Sequence, residues 1–236
     1  MLLKVPLDIV PPENLPLIIT ELKDQNIILL SVWDLLKARR NSEYLNYLFD
    51  AALIIPISKS LVSGAKFLTG KKPVRYMPFN FIISLLSIIE KKEGSLYLLG
   101  GGSRVLRKAE RNLRSTFPNL KIVGRSDRKT CKQEESAVIE AIRKASPDLL
   151  LAGSGIREGE MWITRNTSQL NSGFRLWCSD LFDVLAEKRK RPTDAIFERG
   201  LESIGFCLQN PFKFFRIFAW LYYMLLLLIY RFIKKY

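Results

Sequence analysis

The sequence contains no histidine and only three cysteines in 236 residues. Without imidazole the commonest general base is gone, and with it every Ser/His or Cys/His nucleophilic pair. Hydrolases of the triad type are therefore excluded, and proton transfer falls to Asp, Glu, Lys, Tyr or Cys. Cys131, Cys178 and Cys207 are far apart, odd in number and not at ligand spacing, which leaves no zinc site. They read as free thiols of a reducing compartment. Acidic residues are also scarce: 23 Asp and Glu face 37 Lys and Arg, a formal charge of +14. Such a balance favours an anionic partner, whether nucleic acid, a phosphorylated ligand or an anionic membrane face. No RNP-like aromatic pair, recognition-helix motif or finger spacing occurs, so nucleic acid is set aside. The opening "MLLKVPLDIVPP" has too short an apolar run before its prolines for a secretory signal, and a cytoplasmic start is expected.

What the chain does have is apolar mass, 48% of its residues, enough for one substantial core. Apolar β-rich runs at 26–31, 51–58, 95–100, 120–125 and 147–155 alternate with helical patterns. Strands that are apolar at nearly every position, each followed by a helix, predict an α/β fold: a doubly wound, mostly parallel sheet with helices on both faces. The expected core is 1–186. From 187 to 236 a basic cluster and Pro192 interrupt the alternation, and a basic, hydrophobic C-terminal helical appendage is expected. Within it Ile217 to Tyr230 is uncharged for 14 residues. At helical rise that spans about 21 Å, short of a hydrocarbon core of about 30 Å. Lys213 and Arg216 precede the run, Arg231, Lys234 and Lys235 follow it, and Trp220 suits an interface. Membrane contact is expected in preference to a buried core helix, either within one leaflet or across it.

In doubly wound sheets ligands bind beyond the carboxyl ends of the strands. One such end reads "SLYLLGGGSRVLRKAERNL". Gly100, Gly101, Gly102 and Ser103 join a strand to a helix, where main-chain N–H groups and the helix dipole favour an anion such as a diphosphate. Arg104, Arg107 and Lys108 add charge of the right sign, although they oppose the helix dipole. Val105 rules out a Rossmann G-x-G-x-x-G, and no Walker Gly-Lys-Ser/Thr follows. A tight turn is the alternative use of these glycines.

Set in order, "VPLD", "LLGGGSRVLRKAERNLRSTFPNLKIVGRSD", "SPDLLLAGSGIREGEMWI", "LFDVLAEKRKRP" and "GLESIGFCLQNPFK" resemble the WecG/TagA/CpsF glycosyltransferase family over about residues 5–230. The resemblance implies a metal-independent inverting transferase, without cofactor. Such an enzyme moves an N-acetylhexosamine, typically N-acetylmannosamine, from a UDP-sugar to a polyprenyl-diphosphate-linked acceptor in cell-envelope polysaccharide synthesis. It implies a peripheral or monotopic location on the cytoplasmic face of the cell membrane, with the basic appendage bringing the core to an anionic membrane surface. Self-association is left open.

The chain departs from that pattern at polar positions. Leu29 and Ser31 stand for the family's Thr-x-Asn, and Pro56, Ile57 and Ser58 stand for Pro-Asp-Gly, whose Asp is the proposed base. Arg75 is kept, but Asn80 replaces the Asp that follows it. Gly159 replaces a glutamine while Glu160 keeps the acid; Phe182 and Asp183 match, and Glu187 stands for a glycine. Glu160 is the first candidate for a substitute base and Asp34 the second. Arg75 and Arg157 are expected on the diphosphate, with Ser31 and Asp183 as further binding residues. The competing expectation is a non-catalytic homologue that binds a nucleotide sugar or lipid-linked glycan, or acts as a scaffold.

Overall fold

The computed structural model describes residues 1–21, 24–190, 193–200 and 215–233. Six strands form the sheet: β1 (Gln25–Leu30), β2 (Leu53–Pro56), β3 (Ser95–Leu99), β4 (Lys121–Ser126), β5 (Leu149–Ala152) and β6 (Phe174–Trp177). Their order is β2-β1-β6-β5-β3-β4, and the sheet is parallel, with helices around it. This is the expected α/β class. Strands β2 and β5 are buried at every residue, as strands covered on both faces must be. The edge strand β4 alternates exposed and half-buried positions up to its buried last residue, Ser126.

β1 to β5 match the five apolar runs, β1 and β4 each extending one residue beyond its run, whereas no apolar run marks β6. Its four residues carry Arg175 in the middle, which breaks the apolar signal. Arg175 is only 2% exposed. Its guanidinium donates to Asn26 Oδ1 at 2.8 Å, Asp24 Oδ1 at 2.6 Å and the Asp24 and Ser172 carbonyls. A buried cation is tolerated only when it is paired and hydrogen-bonded in this way.

Twelve α-helices are described: α1 (Leu15–Glu21), α2 (Val32–Ala38), α3 (Ser42–Phe49), α4 (Lys59–Thr69), α5 (Pro78–Lys91), α6 (Ser103–Thr116), α7 (Arg128–Gln133), α8 (Glu135–Ala145), α9 (Glu160–Leu170), α10 (Leu181–Leu185), α11 (Asp194–Arg199) and α12 (Phe215–Phe232). The pattern over 32–49 reads as one helix but is two, because the Asn41 side chain accepts the Tyr44 N–H and caps α3.

The chain forms two compact units, one of Met1–Pro12, Leu29–Met77 and Pro192–Tyr236, the other of Glu13–Ile28 and Pro78–Arg191. In the first, α12 packs on α2 and α4. Tyr223, Leu226, Leu227 and Tyr230 are buried. The Tyr223 hydroxyl donates to the Ser60 carbonyl at 3.0 Å, and Arg39 donates to the Tyr230 hydroxyl at 3.2 Å. Phe218, Leu221, Leu225, Leu228 and Phe232 form the opposite stripe and are exposed. The run expected to contact a membrane in preference to being a buried core helix thus has one face packed on protein and the other exposed. Among the described residues no helix is long and apolar enough to cross a membrane. In the second unit the core gathers Tyr97, Leu99, Val138, Ile142, Leu150 and Trp162 from strands and helices together.

Candidate functional site

In the second unit β3 ends at Leu99 and α6 starts at Ser103, so three glycines make the whole connection. Gly100 and Gly101 have φ of 97° and 69°, the left-handed region that side chains disfavour. A Cβ on Gly100 would lie 2.8 Å from the Gly153 carbonyl oxygen, and one on Gly101 3.2 Å from the Phe182 ring. The Gly100 N–H donates to Ser126 O at 2.8 Å and the Gly101 N–H to Ser154 O at 2.7 Å, while Gly101 O accepts the Arg128 N–H at 2.9 Å. This corrects the expectation that Gly100 and Gly101 offer their N–H groups to a ligand: those donors tie the loop to the last residue of β4 and to the segment that follows β5.

Gly102 differs. It caps α6 with ordinary extended angles and no side chain, and a Cβ there would meet nothing within 4 Å. The N–H groups of Ser103 and Arg104 begin the helix, where no intrahelical acceptor exists and the dipole is positive. The Ser103 side chain also hydrogen-bonds Asp127. The Asp127 carboxyl is held below the usual carboxylate range, first by the Thr130 N–H and further by Ser103. Residues 102–104 thus present an open helix start with no side chain at its cap.

The loop after β5 lies beside it, because β3 and β5 pair in parallel and end at the same edge. There Gly159 caps α9 at φ 62° and ψ −126°, an arrangement that suits glycine and not the glutamine of the resembling family. Glu160 is the first residue of α9 and is half-buried. Arg157 is exposed and lines a cavity of about 300 Å³ with Glu135, Glu158, Trp162, Arg165 and Asn166. The Trp162 indole donates to Glu135 at 2.5 Å, and Arg165 pairs with Glu158. Asp183 is half-buried and pairs with Lys188 at 3.3 Å. Phe182, matched in sequence, has a structural use: its ring stands over Gly101 and Gly153.

The remaining candidates belong to the first unit. Ser31 and Asp34 form a capping box on α2: Asp34 Oδ2 accepts the Ser31 N–H at 2.7 Å and its hydroxyl at 2.6 Å. The Asp34 carboxylate is therefore engaged in holding a helix end. Arg75 was expected on the diphosphate. Instead its Nε donates to the Ile57 carbonyl at 3.0 Å, another nitrogen donates to the Phe197 carbonyl at 2.5 Å, and the guanidinium lies 3.7 Å from the Phe197 ring centre. Trp220 Nε1 donates to Ser60 Oγ at 3.1 Å, and the Arg231 guanidinium sits 5.7 Å from the centre of the Phe67 ring. Lys213, Lys234, Lys235, Cys207 and the side chain of Arg216 lie outside the described residues. Asp127, Arg128 and Ser154 were not singled out from the sequence. Arg128 and Ser154 touch the glycine loop, and Asp127 the first residue of α6, through long-range contacts that no local motif encodes.

Two comparisons bear on this geometry. A family model described as the glycosyl transferase WecG/TagA/CpsF family matches residues 1–236. The N-acetylglucosaminyldiphosphoundecaprenol N-acetyl-beta-D-mannosaminyltransferase of Bacillus subtilis (strain 168) is 23% identical over 182 residues, covering 77% of this chain and 70% of that protein.

Proposed function

The chain belongs to the WecG/TagA/CpsF family of glycosyl transferases, and from that premise we propose that it transfers an N-acetylhexosamine from a UDP-sugar to an undecaprenyl-diphosphate-linked glycan at the cytoplasmic face of the cell membrane. The observation that carries this is the pairing of an open anion cradle at Gly102–Arg104 with the acid-bearing loop of Glu160, on the same edge of adjacent parallel strands. In this mechanism the donor diphosphate rests on the N–H groups that open α6. Glu160 accepts the proton of the acceptor hydroxyl as that oxygen bonds to the anomeric carbon from the face opposite the departing UDP. The bond to diphosphate breaks with inversion, and the N–H groups of the cradle, with Arg104 beside them, stabilise the charge released. No metal takes part in this scheme. The exposed stripe of α12 supplies the apolar contact with lipid.

A second function is favoured by one specific observation. Ile57 stands where the family has its proposed base, and its carbonyl is held by Arg75, so two positions of the family's sugar site are tied to each other. Such a chain would bind nucleotide sugar or lipid-linked glycan without turnover. Mass-spectrometric screening of the purified protein decides between the two, using a panel of UDP-sugars with an N-acetylglucosaminyl-diphosphate-polyprenol acceptor. A product enlarged by one N-acetylhexosamine supports the transferase; UDP-sugar binding with no product under any pairing supports the binding protein.

A further inference from the structure

The outer face of α6 is cationic over its whole length. Its exposed residues are Ser103, Arg104, Arg107, Lys108, Arg111, Arg114, Ser115 and Thr116. The helix itself carries five exposed cations and a single carboxylate, Glu110, which is only 9% exposed. Arg104, Arg107, Arg111 and Arg114 recur at spacings of three and four, which places them in one stripe about 15 Å long. Among the described residues Lys108 pairs with Glu187 and Arg114 with Glu110, whereas Arg104, Arg107 and Arg111 have no hydrogen-bonded or ion-paired partner.

Such a face is costly for the helix itself. Like charges three and four residues apart repel, and cations in the first turns oppose the dipole. A surface helix whose only task is solvation mixes its signs. α8 of the same unit does so: Glu140 sits between Arg143 and Lys144 and pairs with both. Among the described residues three of the five cations of α6 are thus left without a compensating acid. That four of the five are arginines fits phosphate, which guanidinium binds in a bidentate fork.

We propose that this stripe is an electrostatic contact with the phosphate-bearing headgroups of an anionic bilayer, separate from the apolar stripe of α12. The assignment rests on the reading that the enzyme works on a lipid-linked acceptor. Headgroups fit better than single-stranded nucleic acid, because no aromatic side chain is interleaved among the arginines to stack a base.

The test is sedimentation of the full-length chain with phosphatidylglycerol/phosphatidylcholine vesicles and with phosphatidylcholine vesicles alone. Arg107→Gln/Arg111→Gln is compared with wild type, and Arg104, beside the anion cradle, is left intact. Each lost cation should weaken binding to the anionic vesicles roughly fivefold and the pair roughly thirtyfold. Binding to neutral vesicles, carried by α12, should change less than twofold, and the melting temperature should hold. Raising salt should erase the difference between the two proteins. Unchanged binding to anionic vesicles would overturn the proposal. So would equal loss on both vesicle types, or tighter wild-type binding to an oligonucleotide than to anionic vesicles. Failure of neutral-vesicle binding in wild type would count against α12 and leave α6 to be judged on the anionic vesicles. Absence of sugar transfer would bear on the enzyme reading alone.

Discussion

Glu187 has φ of 56° and stands where the family pattern places glycine. A left-handed backbone costs an L-residue roughly 1–2 kcal/mol, and the Lys108 pair that Glu187 gains is 75% exposed on its side and offsets little. Glu187→Gly should therefore be more stable than Glu187→Ala by about 1 kcal/mol in denaturant melts, although glycine is ordinarily the more destabilising residue. The same reasoning separates the two loop glycines. Gly101→Val should fail to fold or melt far lower, since φ is 69° and Phe182 lies 3.2 Å from the new Cβ. Gly102→Val has open space, so it should cost less than about 1 kcal/mol while weakening UDP affinity at least tenfold in calorimetry. Full UDP affinity in Gly102→Val would remove the cradle from the site. A third residue, Cys131, is buried, and desolvation, with Asp127 adding to it, pushes its thiol up to about 11. At pH 8 it stays protonated. Alkylation followed by peptide mapping should find it reacting about a hundredfold more slowly in the native protein than in the denatured one.

At the level of elements, what could be read from sequence was what neighbours along the chain determine. Five strands announced themselves as apolar runs, and the glycines marked the turn into α6. β6 did not, because the burial of Arg175 is made possible by Asp24 and Asn26, about 150 residues away in sequence. The use of each loop N–H was equally hidden, since its acceptors, Ser126 and Ser154, lie on other segments. α12 shows the same limit: an apolar run does not say that one of its faces will dock on α4. That docking depends on Gly64, where a Cβ would stand 2.0 Å from the Tyr223 hydroxyl. Gly64→Ala should lower stability by about 1–3 kcal/mol. Adding Tyr223→Phe should recover part of that loss, although Tyr223→Phe alone destabilises by removing the bond to Ser60. Additive losses in the double variant would mean that α12 does not rest on Gly64. For the same reason, removing 212–236 should destabilise the first unit as well as weaken membrane binding.

For the whole molecule, the proposed UDP-sugar donor and lipid-linked acceptor rest on the +14 charge, the open start of α6 and the exposed apolar face of α12. The chain belongs to the family, yet by the resemblance it departs from the family's pattern at several polar site positions, so the proposal stands or falls on whether chemistry survives and runs through Glu160. The most direct measurement is the steady-state rate of sugar transfer by wild type and Glu160→Gln, with UDP affinity measured on the same preparations. The amide keeps the shape of the carboxylate and removes its proton acceptor. The account predicts transfer by wild type, a fall in kcat of about 10²- to 10⁴-fold in Glu160→Gln, and UDP affinity within a few-fold. Transfer by Glu160→Gln at the wild-type rate, or no transfer by wild type with any donor and acceptor, would contradict it.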